Sequence, residues 1–186
     1  MTAVVQPFKR VERKLAGSAA LWTDAETSAR MGRIRQRETE PEILVRRICR
    51  SLGLHYRTRN RDLPGSPDLA NRSHHWAIFV HGCYWHRHAG CPKTSTPRRN
   101  AEFWNAKFAT NVERDRTALV QLRKHGYRVL TIWQCEAESV KKLGSRLRQF
   151  ARMLTLLSQT KNEGVSVETD YPANDSRATN LGREQR

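Results

Sequence analysis

The chain has 186 residues, with 34 Lys and Arg against 18 Asp and Glu, for a formal net charge of +16. That length suits one domain with tails, and the charge excess fits a polyanionic partner, nucleic acid above all. No apolar run is long enough to cross a bilayer, no clear basic amphipathic or lipidated segment argues for a membrane surface, and the scattered charges of Met1 to Gly17 read as no secretory signal.

Residues 1–23 read as a basic, unstructured extension. Asp24 to Arg37 is expected to form a short, very basic helix, carrying Ala25, Met31 and Ile34 among Arg30, Arg33, Arg35 and Arg37. Thr39-Glu40-Pro41-Glu42 opens a second helix, with a Thr cap, Pro in the first turn and Glu at the capping-box position. Leu44, Ile48 and Leu52 recur at helical spacing, and Gly53 ends the element. Leu54 to Thr58 is short and strand-compatible, Leu63-Pro64-Gly65 is a turn, and Pro67 to Ala70 reads as a short strand. Asn71 to His74 turns the chain into Trp76–Val80, an apolar run of the buried-strand type. His81 to Cys91 is a loop dense in His, Cys, Tyr and Trp. Ala101 to His125 is expected to be helical, in two pieces broken near Asn111, and closed by Gly126. Tyr127 to Trp133 is a further apolar strand. Leu143, Leu147, Phe150, Leu154 and Leu157 then form an apolar stripe at spacings of three and four. Beyond Ser158 the chain turns polar and reads as an unstructured tail, which leaves 24–157 as the domain. The order predicts an α/β architecture: a small mixed sheet flanked by helices.

Four groups of residues could carry chemistry. Asp68 follows Pro67 on one strand, and polar groups close the next strand. One carboxylate, a backbone carbonyl and phosphate oxygens suffice for magnesium, which wants oxygen ligands and keeps several waters. A Pro-Asp pair alone equally suits a turn cap. His81, His86 and His88 fall within eight residues, where an imidazole can act as general base; metal ligation by all three or a solvated loop are the other readings. Cys83, His88, Cys91 and Cys135 suit a closed, structural, tetrahedral zinc site pinning this loop to the end of the Tyr127–Trp133 strand, while Cys49 is a core thiol. Tyr84, Trp85 and Trp104 lie beside basic residues and can wedge between base steps, or else belong to the core, as Trp76 and Trp133 are expected to. Lys107, Asn111, Arg114 and Arg116 together suit phosphate contact.

Several blocks, in order and spacing, closely resemble the very-short-patch-repair (Vsr) mismatch endonucleases over roughly residues 24 to 150. They are Arg30-Met31-Gly32-Arg33-Ile34-Arg35, Thr39-Glu40-Pro41-Glu42, Asp62-Leu63-Pro64-Gly65-Ser66-Pro67-Asp68, Phe79-Val80-His81-Gly82-Cys83-Tyr84-Trp85-His86, Glu102-Phe103-Trp104, Asn111-Val112-Glu113-Arg114-Asp115, Gly126-Tyr127-Arg128-Val129-Leu130 and Trp133-Gln134-Cys135-Glu136. The resemblance implies a restriction-endonuclease-like fold and strand-specific nicking of duplex DNA 5′ of the thymine in a T·G mismatch, the lesion left by deaminated 5-methylcytosine. It implies that Asp68 and the backbone carbonyl of Val80 bind catalytic Mg2+, that His86 is the general base, and that Glu42 and His81 order metal-bound waters. It implies structural Zn2+ on Cys83, His88, Cys91 and Cys135. Tyr84, Trp85 and Trp104 would be inserted beside the mismatch, with the basic helix carrying Arg30, Arg33 and Arg35 against the DNA. A monomer, a contact with the repair factor MutL, and a cytoplasmic, nucleoid-associated place in a bacterium are further implications. The second carboxylate and Lys of the PD-(D/E)xK nucleases are missing after Val80, as in the Vsr type. Two other functions stay open: a restriction-type nuclease without mismatch specificity, and a non-catalytic, zinc-stabilised DNA-binding module.

Overall fold

Helix α1 (Glu40–Ser51) begins where the Thr-Glu-Pro-Glu run predicts, with Pro41 in its first turn. The cap is only half the expected box. Thr39 makes no side-chain cap to the helix backbone; its hydroxyl donates to the Glu42 carboxylate at 2.9 Å, which also accepts the Glu38 backbone N–H at 3.0 Å. The computed structural model describes residues 32–33 and 37–162. The expected Asp24–Arg37 helix, the preceding extension and the far tail therefore lie largely or wholly outside the described residues.

Three strands follow: β1 (Leu69–Asn71), β2 (Trp76–His81) and β3 (Arg128–Trp133). β1 pairs antiparallel with β2 (Leu69 opposite Ile78), and β2 pairs parallel with β3 (Trp76 opposite Arg128, His81 opposite Trp133). A parallel pair needs a long crossover, supplied by helix α2 (Ala101–Lys124). α2 is one unbroken helix rather than the expected two pieces. Asn111 interrupts nothing, because it is nearly buried and its amide nitrogen donates to the Trp85 carbonyl at 3.1 Å. The strand expected over Leu54–Thr58 reduces to one isolated bridge, Arg57 with Ala70.

The turn from α2 into β3 explains how the parallel strand is aimed. Gly126 has φ +76°, Gly126 N–H donates to Arg123 O at 2.9 Å, and Tyr127 N–H donates to Leu122 O at 3.0 Å. This is the paired closure of a helix end that favours glycine, and it brings buried Tyr127 against buried Leu122. β3 runs into a single turn, α3 (Gln134–Ala137), and then α4 (Val140–Asn162). α4 continues four residues past Ser158.

The sheet has a helix layer on each face. Leu69, Trp76, Ile78, Leu130 and Ile132 pack with Val45 and Cys49 of α1 and with Leu143, Leu147 and Phe150 of α4. Ala70, Ala77 and Phe79 pack with Ala118 and Leu122 of α2. Each fully buried Leu or Ile stabilises the fold by about 1.5–3 kcal/mol relative to exposure. Alternation along β2 then fixes the site: Ala77 and Phe79 face α2, and so does His81 two residues on. Among the described residues, no helix is long and apolar enough to cross a membrane.

Candidate active site

The carboxylate at the head of β1 is delivered by a rigid turn. Gly65 has φ +70°, and a Cβ placed on it would stand 2.6 Å from the Ala118 Cβ and 3.2 Å from the Phe79 ring. Only glycine lets this turn lie so close against α2. Buried Asn60 donates to the carbonyls of Arg57 at 2.8 Å and Pro67 at 2.9 Å, fixing the peptide just before Asp68. Asp68 Oδ2 accepts the Val80 N–H at 2.7 Å, which ties the carboxylate to the residue whose carbonyl is expected to share its metal. Burial, helped by the nearby Glu42 charge, pushes the Asp68 carboxyl up to about 6, against the opposing pull of the Val80 N–H and Arg46. Glu42 is itself 6% exposed and takes an Arg46 guanidinium N–H at 3.1 Å. A partly buried carboxylate and a buried one thus influence each other where β1, β2 and α1 converge. Such a pair of oxygen donors fits a hard divalent cation, and a cation would relieve their mutual repulsion.

Past Val80 a second cluster forms on the α2 side. The His81 and His86 rings stack in parallel at 3.9 Å, and His86 Nδ1 is hydrogen-bonded to an Asp115 carboxylate oxygen. Ligand atoms of His81, His86 and Asp115 all lie within 4.8 Å of one another. Asp68 is not part of that group; it is linked to it through the strand, since Val80 holds it and His81 follows. Burial, then the positive charge of His86, drives the buried His81 imidazole down to about 3. Burial opposes ionisation of Asp115, yet the His86 hydrogen bond and the charges of His86 and Arg114 outweigh it and hold the carboxyl below its ordinary value. The chemistry is that of a neutral imidazole stacked on one oriented by a carboxylate.

Cys83, His88, Cys91 and Cys135 converge as expected, with one ligand atom from each within 4.8 Å of the others. His88 Nδ1 is 3.7 Å from Cys83 Sγ and 3.3 Å from Cys135 Sγ. The loop reaches this shape because the Thr94 hydroxyl donates to the His88 and Cys91 carbonyls, both at 2.8 Å. Three thiolates and one imidazole form a donor set suited to a closed tetrahedral metal site. Cys49 lies apart in the core, its thiol pushed up to about 12 by burial. Trp133 departs from the expected core placement. It is only partly buried, stacks on His88 at 4.3 Å and meets the His81 ring edge-on at 5.5 Å. It therefore separates the thiolate cluster from the imidazole pair.

Tyr84, Trp85 and Trp104 are half-buried. Tyr84 meets Trp85 and Phe108 edge-on at 5.0 and 5.1 Å, and Trp104 lies 5.9 Å from Phe108, which is 3% exposed. Phe108 is the floor of this aromatic group. Lys107, Arg114 and Arg116 are exposed on α2, and Arg116 is paired with Glu113. Asn111 points inward and holds the Trp85 carbonyl, a positioning task in place of the free phosphate contact expected of it. Arg33 is exposed; Arg30 and Arg35 lie outside the described residues. Sequence reasoning assigned no role to Asp115 and misplaced Trp133. Asp115 closes the Asn111–Asp115 block, but its meeting with His86 depends on α2 crossing the sheet, which no local spacing reveals.

The sequence profile described as "DNA mismatch endonuclease Vsr" matches residues 19–93. The chain is 38% identical over 118 residues to the type II nicking enzyme V.XorIIP of Xanthomonas oryzae pv. oryzae, covering 63% of this chain and 86% of that protein. It is 37% identical over 119 residues to the DNA mismatch endonuclease Vsr of Escherichia coli K12, covering 64% and 76%. It is 33% identical over 132 residues to the type II nicking enzyme V.NmeAIP of Neisseria meningitidis, covering 71% and 94%. The profile match runs through both the carboxylate turn and the His-Cys loop, and with these relatives it makes the chain a member of the Vsr family and a DNA endonuclease.

Proposed function

We propose that the protein nicks one strand of duplex DNA on the 5′ side of the thymine in a T·G mismatch, with a divalent cation, magnesium by its donor chemistry, at Asp68. The observation that carries this reading is the meeting at the end of β2 of the Asp68–Glu42 carboxylates, the His81–His86–Asp115 cluster and the half-buried Tyr84–Trp85–Trp104 group. The Asp68 carboxylate and the Val80 carbonyl would hold the cation, with Glu42 and His81 ordering its waters. When bound, such a cation would neutralise negative charge developing on the phosphoryl oxygens and lower the pKa of the attacking water.

The geometry supports a role for each residue. Asp115 accepts the Nδ1–H of His86, which leaves Nε2 as the free, proton-accepting nitrogen. His86 is then the general base that takes a proton from the attacking water, and Asp115 holds its tautomer and steadies the imidazolium that results. His81, kept neutral by burial, adds no competing charge. Zinc on Cys83, His88, Cys91 and Cys135 would anchor the loop that carries His86. Tyr84, Trp85 and Trp104 would enter the base stack. Insertion needs unstacking, which costs least at a mispair, and that difference supplies the mismatch preference. The relatives' names, a mismatch endonuclease and nicking enzymes, support the same reading.

The test uses two duplexes that differ only in T·G against T·A, incubated with magnesium or with a chelator. The expected result is a single nick on the thymine strand, magnesium-dependent and about a hundredfold faster on the mismatch, the size of a few kcal/mol of unstacking. Equal cutting of both duplexes refutes mismatch direction.

A further inference from the structure

Arg87 sits between His86 and His88, in a position none of the roles above uses. Its backbone has φ +54°, the left-handed conformation that a long side chain rarely adopts. The guanidinium carbon lies 4.5 Å from the Phe108 ring centroid, over the buried floor of the aromatic group. Its two terminal nitrogens donate outward along the loop, to Ser95 O at 2.9 Å and Thr96 Oγ1 at 3.1 Å. One planar cation therefore joins the segment after Cys91 to the ring against which Tyr84 and Trp104 pack. A face over a ring together with a two-pronged donor edge is a geometry lysine cannot reproduce. Both donors engage the protein's own loop.

We propose that Arg87 is a specificity-determining positioning residue: it clamps the Ser95–Thr96 segment onto Phe108, so that Tyr84, Trp85 and Trp104 meet DNA as one pre-set wedge. This rests on the reading that those aromatics enter the base stack. A pre-set wedge inserts readily only where stacking is already weak, whereas a loose one loses insertion at the mismatch and with it the preference over paired DNA.

The experiment places 2-aminopurine beside the mismatch and follows its fluorescence at saturating protein, with occupancy checked by anisotropy. Full-length wild type is compared with Arg87→Gln, Arg87→Lys and Phe108→Leu, each assayed for zinc content and melting temperature. The expected result is a several-fold smaller fluorescence gain in all three variants. The ratio of mismatched to paired nicking should fall about tenfold, the scale of one desolvated cation–ring contact, while zinc is retained. Arg87→Gln with Phe108→Leu should lose little more than either alone. Full signal in Arg87→Gln overturns the clamp. So does full signal in Arg87→Lys, because charge alone would then suffice, as a phosphate contact requires. A wild type with no fluorescence gain removes aromatic insertion itself and the clamp with it; a normal wild-type gain with unaffected variants removes the clamp alone.

Discussion

Two titratable residues thirteen positions apart carry opposite linkage to pH. The folded-state value of His81, about 3, lies below its ordinary 6.5, so the unfolded chain takes up the proton first. Its contribution to stability is present above pH 6.5 and is lost as pH falls toward 3. Asp68, raised from 3.8 to about 6, contributes in full below 3.8 and loses that contribution as pH rises through 6. The His81 window is the wider of the two. On going from pH 7 to pH 5, metal-free His81→Gln should therefore lose less melting temperature, or gain more, than wild type; the same pH response in both counts against a neutral buried imidazole. Asp115→Asn should lower single-turnover nicking by about 10²-fold or more, because general-base work is worth 10²–10⁴, with zinc content unaltered; near-normal nicking would remove Asp115 from the proton path. Asp68 and the histidines were legible as chemistry because their residue types are dense and close in the chain. Asp115 was not, because its partner lies 29 positions away across a helix.

At the scale of elements, the strongly patterned segments were readable. Pro41, Gly53 and Gly126 mark helix ends by backbone geometry, and the Trp76–Val80 and Tyr127–Trp133 runs are apolar enough to be strands. The failures have physical reasons. Leu54–Thr58 has strand-like residues but makes one bridge with β1, since the chain turns away through the Asn60-held loop. Asn111 resembles a helix breaker until its amide finds the Trp85 carbonyl. Trp133 ends an apolar strand, yet that end opens into the space between two imidazoles. The loop from Cys83 to Cys91 has little apolar burial beyond Cys83 and depends on its four converging ligands. Cys135→Ser should therefore lower the melting temperature and release zinc together, because metal affinity at such a site is folding free energy; an unchanged melting temperature with metal retained would show that the cluster is not structural.

For the molecule as a whole, composition pointed to the partner and topology explains the geometry. An antiparallel β1 and a parallel β3 flank β2, so the ends of two strands and the start of β1 gather the carboxylates, the imidazoles and the thiolate cluster at one end of the sheet. Exposed Lys107, Arg114 and Arg116 line the helix beside them. Binding to duplex should accordingly weaken steeply with salt, the slope of log affinity against log salt scaling as roughly 0.9 per phosphate contact; a flat dependence would place the charge excess away from DNA. The measurement that bears most directly on the whole account is single-turnover nicking by Asp68→Asn, with DNA affinity and zinc content measured on the same preparation. The account predicts that nicking falls below detection while affinity and zinc stay near wild type. Persistent nicking by that variant would contradict it.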